Sequence, residues 1–259
     1  MKKAIFLAIA LALVLAPVAL AIERFPAQVE PSGVTVVVPS VAIEKAPPLE
    51  MITIVHYKKD FAKPENPGQS GKLPKTESCY GFISAYAKLI ATENLLVNPA
   101  NSGLSEAEVL SGIQSSAATW DEQTSAALFG GVTADYTANF DQYADGQNEI
   151  SFGNYPQSGV IAVTRIWGYF SGKPASRYIS QFDLMFDTDF VWGDADADAT
   201  LMDFKNIATH ELGHGVGLND QYSTSCQEVT MYGYSTNGET EKRTLATPDI
   251  QGLRILYGI

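Results

Sequence analysis

His210-Glu211-Leu212-Gly213-His214-Gly215-Val216-Gly217-Leu218-Asn219-Asp220 reads HExxHxxGxxD and contains two of the chain's 3 histidines. Imidazoles at i and i+4 project from one face of a helix about 6 Å apart, close enough to share one ion of tetrahedral preference. Glu211 directly follows the first histidine, so it flanks the ion without having to bind it and can act as general base toward a metal-activated water. Gly217 can adopt positive φ and turn the chain back beneath the helix, which brings Asp220 in as third ligand. His56, the remaining histidine, is the alternative third ligand.

Downstream, Val229-Thr230-Met231-Tyr232-Gly233 supplies a methionine at the offset of a turn passing under the metal. With it, the pattern resembles the metzincin metallopeptidases, and the Met231-Tyr232 pair is similar to the matrixin branch. Gly233 stands where some related branches carry a metal-reaching tyrosine, so Tyr232 is not a candidate ligand. Most of the clan has a third histidine where Asp220 stands; a minority, the snapalysin-like enzymes among them, has aspartate. Two neutral imidazoles and one carboxylate leave about one net positive charge on a divalent site, and His₂Glu catalytic zinc sites work with that balance. A lone HExxH arises in many helices without a metal, and Met231 alone would be a core filler. Gly217, Asp220 and the methionine segment at fitting offsets distinguish this one. A two-histidine, one-carboxylate set also serves non-haem iron oxygenases, but the helical pair with glutamate beside it favours hydrolysis.

At the N-terminus, Met1-Lys2-Lys3 precedes an apolar run from Ala4 to Ala21 that ends Ala19-Leu20-Ala21. This reads as a secretory signal peptide over residues 1–21, with an uncleaved membrane anchor as the alternative. No later hydrophobic stretch is as long, so the processed chain is expected to be secreted and free of the membrane. Acidic residues outnumber basic ones 29 to 17, for a formal net charge of −12. That balance opposes nucleic-acid and anionic-membrane binding and says nothing about chemistry.

Cys79 and Cys226 are the only cysteines. In an exported protein one disulfide is expected, tying the start of the main domain to the loop between Asp220 and Met231. The competing reading is a prosegment thiolate capping zinc, as in matrixins with a Pro-Arg-Cys-Gly run, which Glu77-Ser78-Cys79-Tyr80 does not match.

Residues 22–78 are interrupted by Pro26, Pro31, Pro39, Pro47, Pro48, Pro64, Pro67 and Pro74 around short β-prone runs such as Val34-Thr35-Val36-Val37-Val38 and Met51-Ile52-Thr53-Ile54-Val55-His56-Tyr57. The stretch 63–75 reads as linker. Two readings stay open for 22–78: a removable prosegment, or a spacer with one strand laid on the domain. From residue 79 the pattern is globular. Ser105-Glu106-Ala107-Glu108 is a capping box, and Val109, Ile113, Ala117 and Trp120 recur at helical spacing. Strands are expected over 87–97, 149–153, 160–166 and 179–186. Asp203 is expected to cap the helix carrying His210, and a last helix follows Pro248 with Ile250, Leu253, Leu256 and Tyr257 on its buried stripe.

These elements give an α/β (α+β) layer architecture. The resemblance implies that residues 79–259 form a metzincin-like catalytic domain: a twisted mixed sheet, an active-site helix, a Met-turn and a C-terminal helix. It also implies that Ile161, Ala162 and Val163 lie on an edge strand that pairs with extended peptide substrates. A buried central strand is the alternative. Matrixins carry a structural-zinc histidine where Val163 stands, so one catalytic zinc and no second zinc is expected. Asp194, Asp196 and Asp198 alternate as calcium ligands can; a solvated acidic loop is the alternative. The function implied is a secreted zinc endopeptidase acting on proteins or peptides, with His210, His214 and Asp220 on zinc and Glu211 as base. A non-catalytic secreted zinc-binding or adhesion module on the same scaffold is the other class.

Overall fold

A computed structural model describes residues 48–59, 61 and 78–259. The expected leader at 1–21, the run Val34–Val38 and the stretch 63–75 lie outside the described residues.

The elements run β1 (Glu50–Lys58), β2 (Glu93–Val97), α1 (Glu106–Asp121), β3 (Phe129–Ala134), β4 (Asn148–Gly153), β5 (Val160–Tyr169), β6 (Tyr178–Asp187), β7 (Trp192–Gly193), β8 (Met202–Asp203), α2 (Phe204–Gly215), β9 (Tyr234–Ser235) and α3 (Thr247–Tyr257). Seven strands form one mixed sheet in the order β3-β2-β4-β6-β5-β1-β9. β2, β3, β4 and β6 pair in parallel, whereas β5 is antiparallel to β6 and β1 is antiparallel to β5.

The capping box forms as read: Ser105 Oγ accepts from the Glu108 amide at 3.3 Å, and Glu108 Oε2 accepts from the Ser105 amide at 2.8 Å. Helix α1 then buries Val109, Ile113, Ala117 and Trp120, each large side chain contributing about 1.5–3 kcal/mol. The Trp120 indole donates to the Thr209 carbonyl at 2.8 Å, and the Thr209 hydroxyl reaches Ser116 at 3.0 Å. Those two bonds fix the register of α2 against α1. The main core joins these helices to β4, β5 and β6 through Ile150, Ile166, Phe182, Leu184, Phe186, Ile207 and Leu212, with Met231 inside it. A smaller cluster of Tyr57, Val160 and Val163, flanked by Val55, Phe140, Tyr155 and Tyr234, joins β1 and β5.

Some expectations change. The strand expected over 87–97 is shortened to β2, because Tyr86 takes φ 63° and Leu89 only bridges Ile179. Strand β3 was not foreseen, its Gly130-Gly131 pair having hidden the β pattern. On α3, Leu253 and Leu256 are buried, but Ile250 and Tyr257 are half-buried. No helix among the described residues is long and apolar enough to cross a membrane.

Candidate metal centre

Helix α2 starts where Asp203 Oδ1 accepts from the Asn206 amide at 2.8 Å, as a capping aspartate should. After Val216 the chain enters Gly217 at φ 102°, where a Cβ would lie 2.6 Å from the Ala87 carbonyl oxygen. Only glycine fits there. The Leu218 amide then bonds the Gly213 carbonyl at 2.9 Å, and the returning chain sets Asp220 beside both histidines. Asp220 Oδ1 is 3.1 Å from His210 Nε2 and 3.4 Å from His214 Nε2.

The tautomers follow from the partners. His210 Nδ1 lies 2.7 Å from the Thr230 carbonyl and His214 Nδ1 lies 2.9 Å from the Leu218 carbonyl. Carbonyls only accept, so each Nδ1 carries the proton and each Nε2 presents a lone pair. His210 Nε2, His214 Nε2 and Asp220 Oδ1 are buried with no hydrogen-bond partner. Three buried atoms that can each offer an electron pair thus face one another out of water, an arrangement that a cation resolves. These residues form one group able to hold a metal ion. The titration directions of the two imidazoles differ. Burial pushes His210 down to about 4. Burial also opposes charge on His214, but Asp220 carries it up to about 8. Asp220 is held well below the carboxylate range by the two histidines, against the effect of burial.

The floor of the site is built from three segments. Thr230, which orients His210, has its amide bound by Asp249 Oδ2 at 2.9 Å, and Asp249 Oδ1 takes the Met231 amide at 3.2 Å. Asp249 therefore links α3 to the methionine segment. Met231 is fully buried under α2, so close that a Cβ on Gly213 would be 2.3 Å from its sulfur. The disulfide Cys79–Cys226 has formed, with Cα atoms 5.3 Å apart. A thiolate cap from Cys79 is therefore excluded.

Glu211 is fully buried, and burial raises its pKa. Its Oε2 accepts from the Thr164 hydroxyl at 2.5 Å, and its Oε1 lies 3.0 Å from His56 Nδ1. His56 is fully buried, and its ring centroid is 4.0 Å from that of His210. Asp220, not His56, contacts both Nε2 atoms; His56 groups instead with His210 and Glu211.

Ile161, Ala162 and Val163 are not on a free edge. Val163 pairs with Val55 of β1 and Met185 of β6, and Ala162 with His56 and Phe186. β1 has taken the hydrogen-bonding groups that an edge would offer. The Asp194, Asp196 and Asp198 carboxylates do not converge on a cation position. Arg243 binds Asp194 at 2.5 Å and Asp196 at 2.7 Å, and also holds Asp203, while Asp198 caps Thr200. A guanidinium supplies the positive charge there.

Several residues escaped sequence reasoning. The Tyr222 hydroxyl donates to Asp220 Oδ2 at 2.8 Å, and its ring occupies the space beside Gly233, where a Cβ would lie 2.5 Å away. The aromatic group beside Asp220 thus comes from position 222. Lys242 is buried, with its ammonium on the Tyr234 carbonyl at 2.7 Å, the Ser235 hydroxyl and Glu239. Asp141, Glu149 and Asp183 form a second acidic group with ligand atoms within 4.8 Å of one another. Burial raises both Glu149 and Asp183 to about 7.

Comparison with known proteins bears on the same stretch. The family model described as Matrixin matches residues 94–258. Matrilysin of Homo sapiens is 36% identical over 76 residues, covering 29% of this chain and 27% of that protein. Matrilysin of Rattus norvegicus is similar to the same extent, 36% over 76 residues, with the same coverage of each chain. The matched stretch therefore spans about a quarter of the length of these relatives.

Proposed function

We propose, from the premise that this chain belongs to the matrixin family, that it is an exported zinc-dependent endopeptidase. The observation that carries the reading is the set of three unpaired buried donors, His210 Nε2, His214 Nε2 and Asp220 Oδ1, directly beside a buried glutamate. Their two imidazoles and one carboxylate suit zinc in number and type and leave a fourth position open. Zinc, when bound, supplies a Lewis acid that acidifies water and polarises a peptide carbonyl.

The chain's own residues supply the rest. Glu211 takes the proton of the attacking water and delivers it to the leaving amine, and its burial-raised pKa suits both steps. The Thr164 hydroxyl fixes the carboxylate through Oε2, so Oε1, which faces His56 Nδ1 in this structure, is the oxygen that works once a water takes that place. Thr230 and Leu218 hold the two imidazoles in the tautomer that presents Nε2. Export follows from the leader read in residues 1–21, and proteins or peptides are the substrates.

Casein cleavage by the zinc-loaded protein, followed over hours beside Glu211→Ala and a chelator-treated sample, tests the reading. Cleavage should vanish in both controls while Glu211→Ala keeps its zinc. Appreciable turnover by Glu211→Ala would remove the general base from this account.

A further inference from the structure

β1 lies where a substrate would lie. It is antiparallel to β5 from Glu50 to Tyr57 and parallel to β9 at Tyr57 and Lys58, so it threads between the two strands that frame the metal centre. Alternation along the strand buries Ile54 in the main core and His56 in the site. His56 Nδ1 holds the one Glu211 oxygen that Thr164 leaves free, its ring rests on His210, and its Nε2 has no partner. An imidazole thus fills the place beside Glu211 that an attacking water needs. This explains how a strand laid in a peptidase cleft would escape cleavage.

The attachment of β1 is separable from the rest of the domain. The disulfide enters the chain at Cys79, C-terminal to β1, so β1 itself is held by strand pairing and a few buried side chains. At its start Leu49 and Met51 are about half exposed. Strand addition to a sheet is also how extended peptides bind generally, with backbone bonds giving affinity and alternate side chains filling pockets.

We propose that Glu50–Lys58 is an intramolecular inhibitor that occupies the peptide-binding groove, with His56 as the residue that blocks Glu211. The inference rests on the peptidase reading and names the occupant of its groove. A competitor for the groove displaces the strand, and loss of His56 admits water to the base.

The test uses the full zinc-loaded chain. Hydrogen–deuterium exchange of the wild type is followed with and without a saturating peptidyl hydroxamate, and turnover of a fluorogenic peptide is compared between wild type and His56→Ala. The hydroxamate should expose the amides of Ile52–Tyr57 to exchange while the β6 amides stay protected, and His56→Ala should raise kcat/KM at least about tenfold. Hydroxamate binding that leaves β1 fully protected would overturn the proposal, mark β1 as a permanent strand and leave the peptidase reading standing. Displacement of β1 with no cleavage by either protein would keep the groove occupant and sink the peptidase. Failure of the hydroxamate to bind the wild type, together with no cleavage by either protein, would sink both. The exchange experiment needs only the wild type, so a misfolded variant does not spare the proposal.

Discussion

Replacing Gly213 by alanine sets two effects of known sign against each other. In an ordinary helix interior the change gains about 1 kcal/mol, because glycine loses more backbone entropy on folding. Here the new Cβ would stand 2.3 Å from the Met231 sulfur and 2.7 Å from the Trp120 ring. Both neighbours are fully buried, and forcing a methyl into such packing costs about 1–3 kcal/mol. At so short an approach the cost falls in the upper part of that range, about 2–3 kcal/mol, which leaves a net loss of about 1–2 kcal/mol and a fall in Tm of roughly 2–8 °C for a domain of this size. Gly215 is the internal control. Its Cβ would meet the Phe182 ring at 3.0–3.1 Å, a contact that a slight ring shift relieves, so Gly215→Ala should be nearly neutral. Urea unfolding of both variants and the wild type supplies the numbers. In a Met231→Ala background the cost of Gly213→Ala should shrink by about 1 kcal/mol, because the two side chains share one space. Stabilisation by Gly213→Ala, or equal effects of the two alanines, would refute the packing of the methionine segment beneath α2.

Two further expectations are independent of the metal. Cys79 and Cys226 are 147 residues apart in sequence, so the chain-entropy argument bounds the disulfide's contribution at about 5 kcal/mol; Cys79→Ser/Cys226→Ser should cost about 2–5 kcal/mol, and a change under 1 kcal/mol in urea unfolding would contradict this. Asp183, raised by burial from 3.8 to about 7, keeps its proton in the fold where the unfolded chain has lost it. Its contribution is therefore full below about pH 4 and is lost as pH rises through about 7. Between pH 5 and pH 8 the wild type should lose about 2 kcal/mol more stability than Asp183→Asn, and parallel pH profiles would count against the buried pair it forms with Glu149.

The candidate metal group was legible because local rules write it. Helical spacing aligns His210 and His214, the next residue supplies Glu211, and Gly217 needs only three more residues to return Asp220. Met231 was readable from its offset, and α1 from a capping box satisfied by two side chains three apart. The residues that escaped depend on distant partners. His56 meets Glu211 across 155 positions, and no local pattern tells a strand beside a domain from a strand inside its cleft. For the same reason Ile161, Ala162 and Val163 read equally well as edge or interior. The run from Asp194 to Asp198 looked like a cation site because Arg243, more than forty residues on, supplies the charge that the sequence does not place beside it. Strand β3 was lost to two glycines whose pairing with β2 at the edge of the sheet decides their conformation.

Zinc affinity of the wild type and Asp220→Ala, measured by competition with a calibrated chelator at pH 7.5, tests the account most directly. One tightly bound zinc per chain and at least about a tenfold weakening in Asp220→Ala is the result it predicts. A chain that binds no zinc, or whose affinity is unchanged when Asp220 is removed, would contradict it.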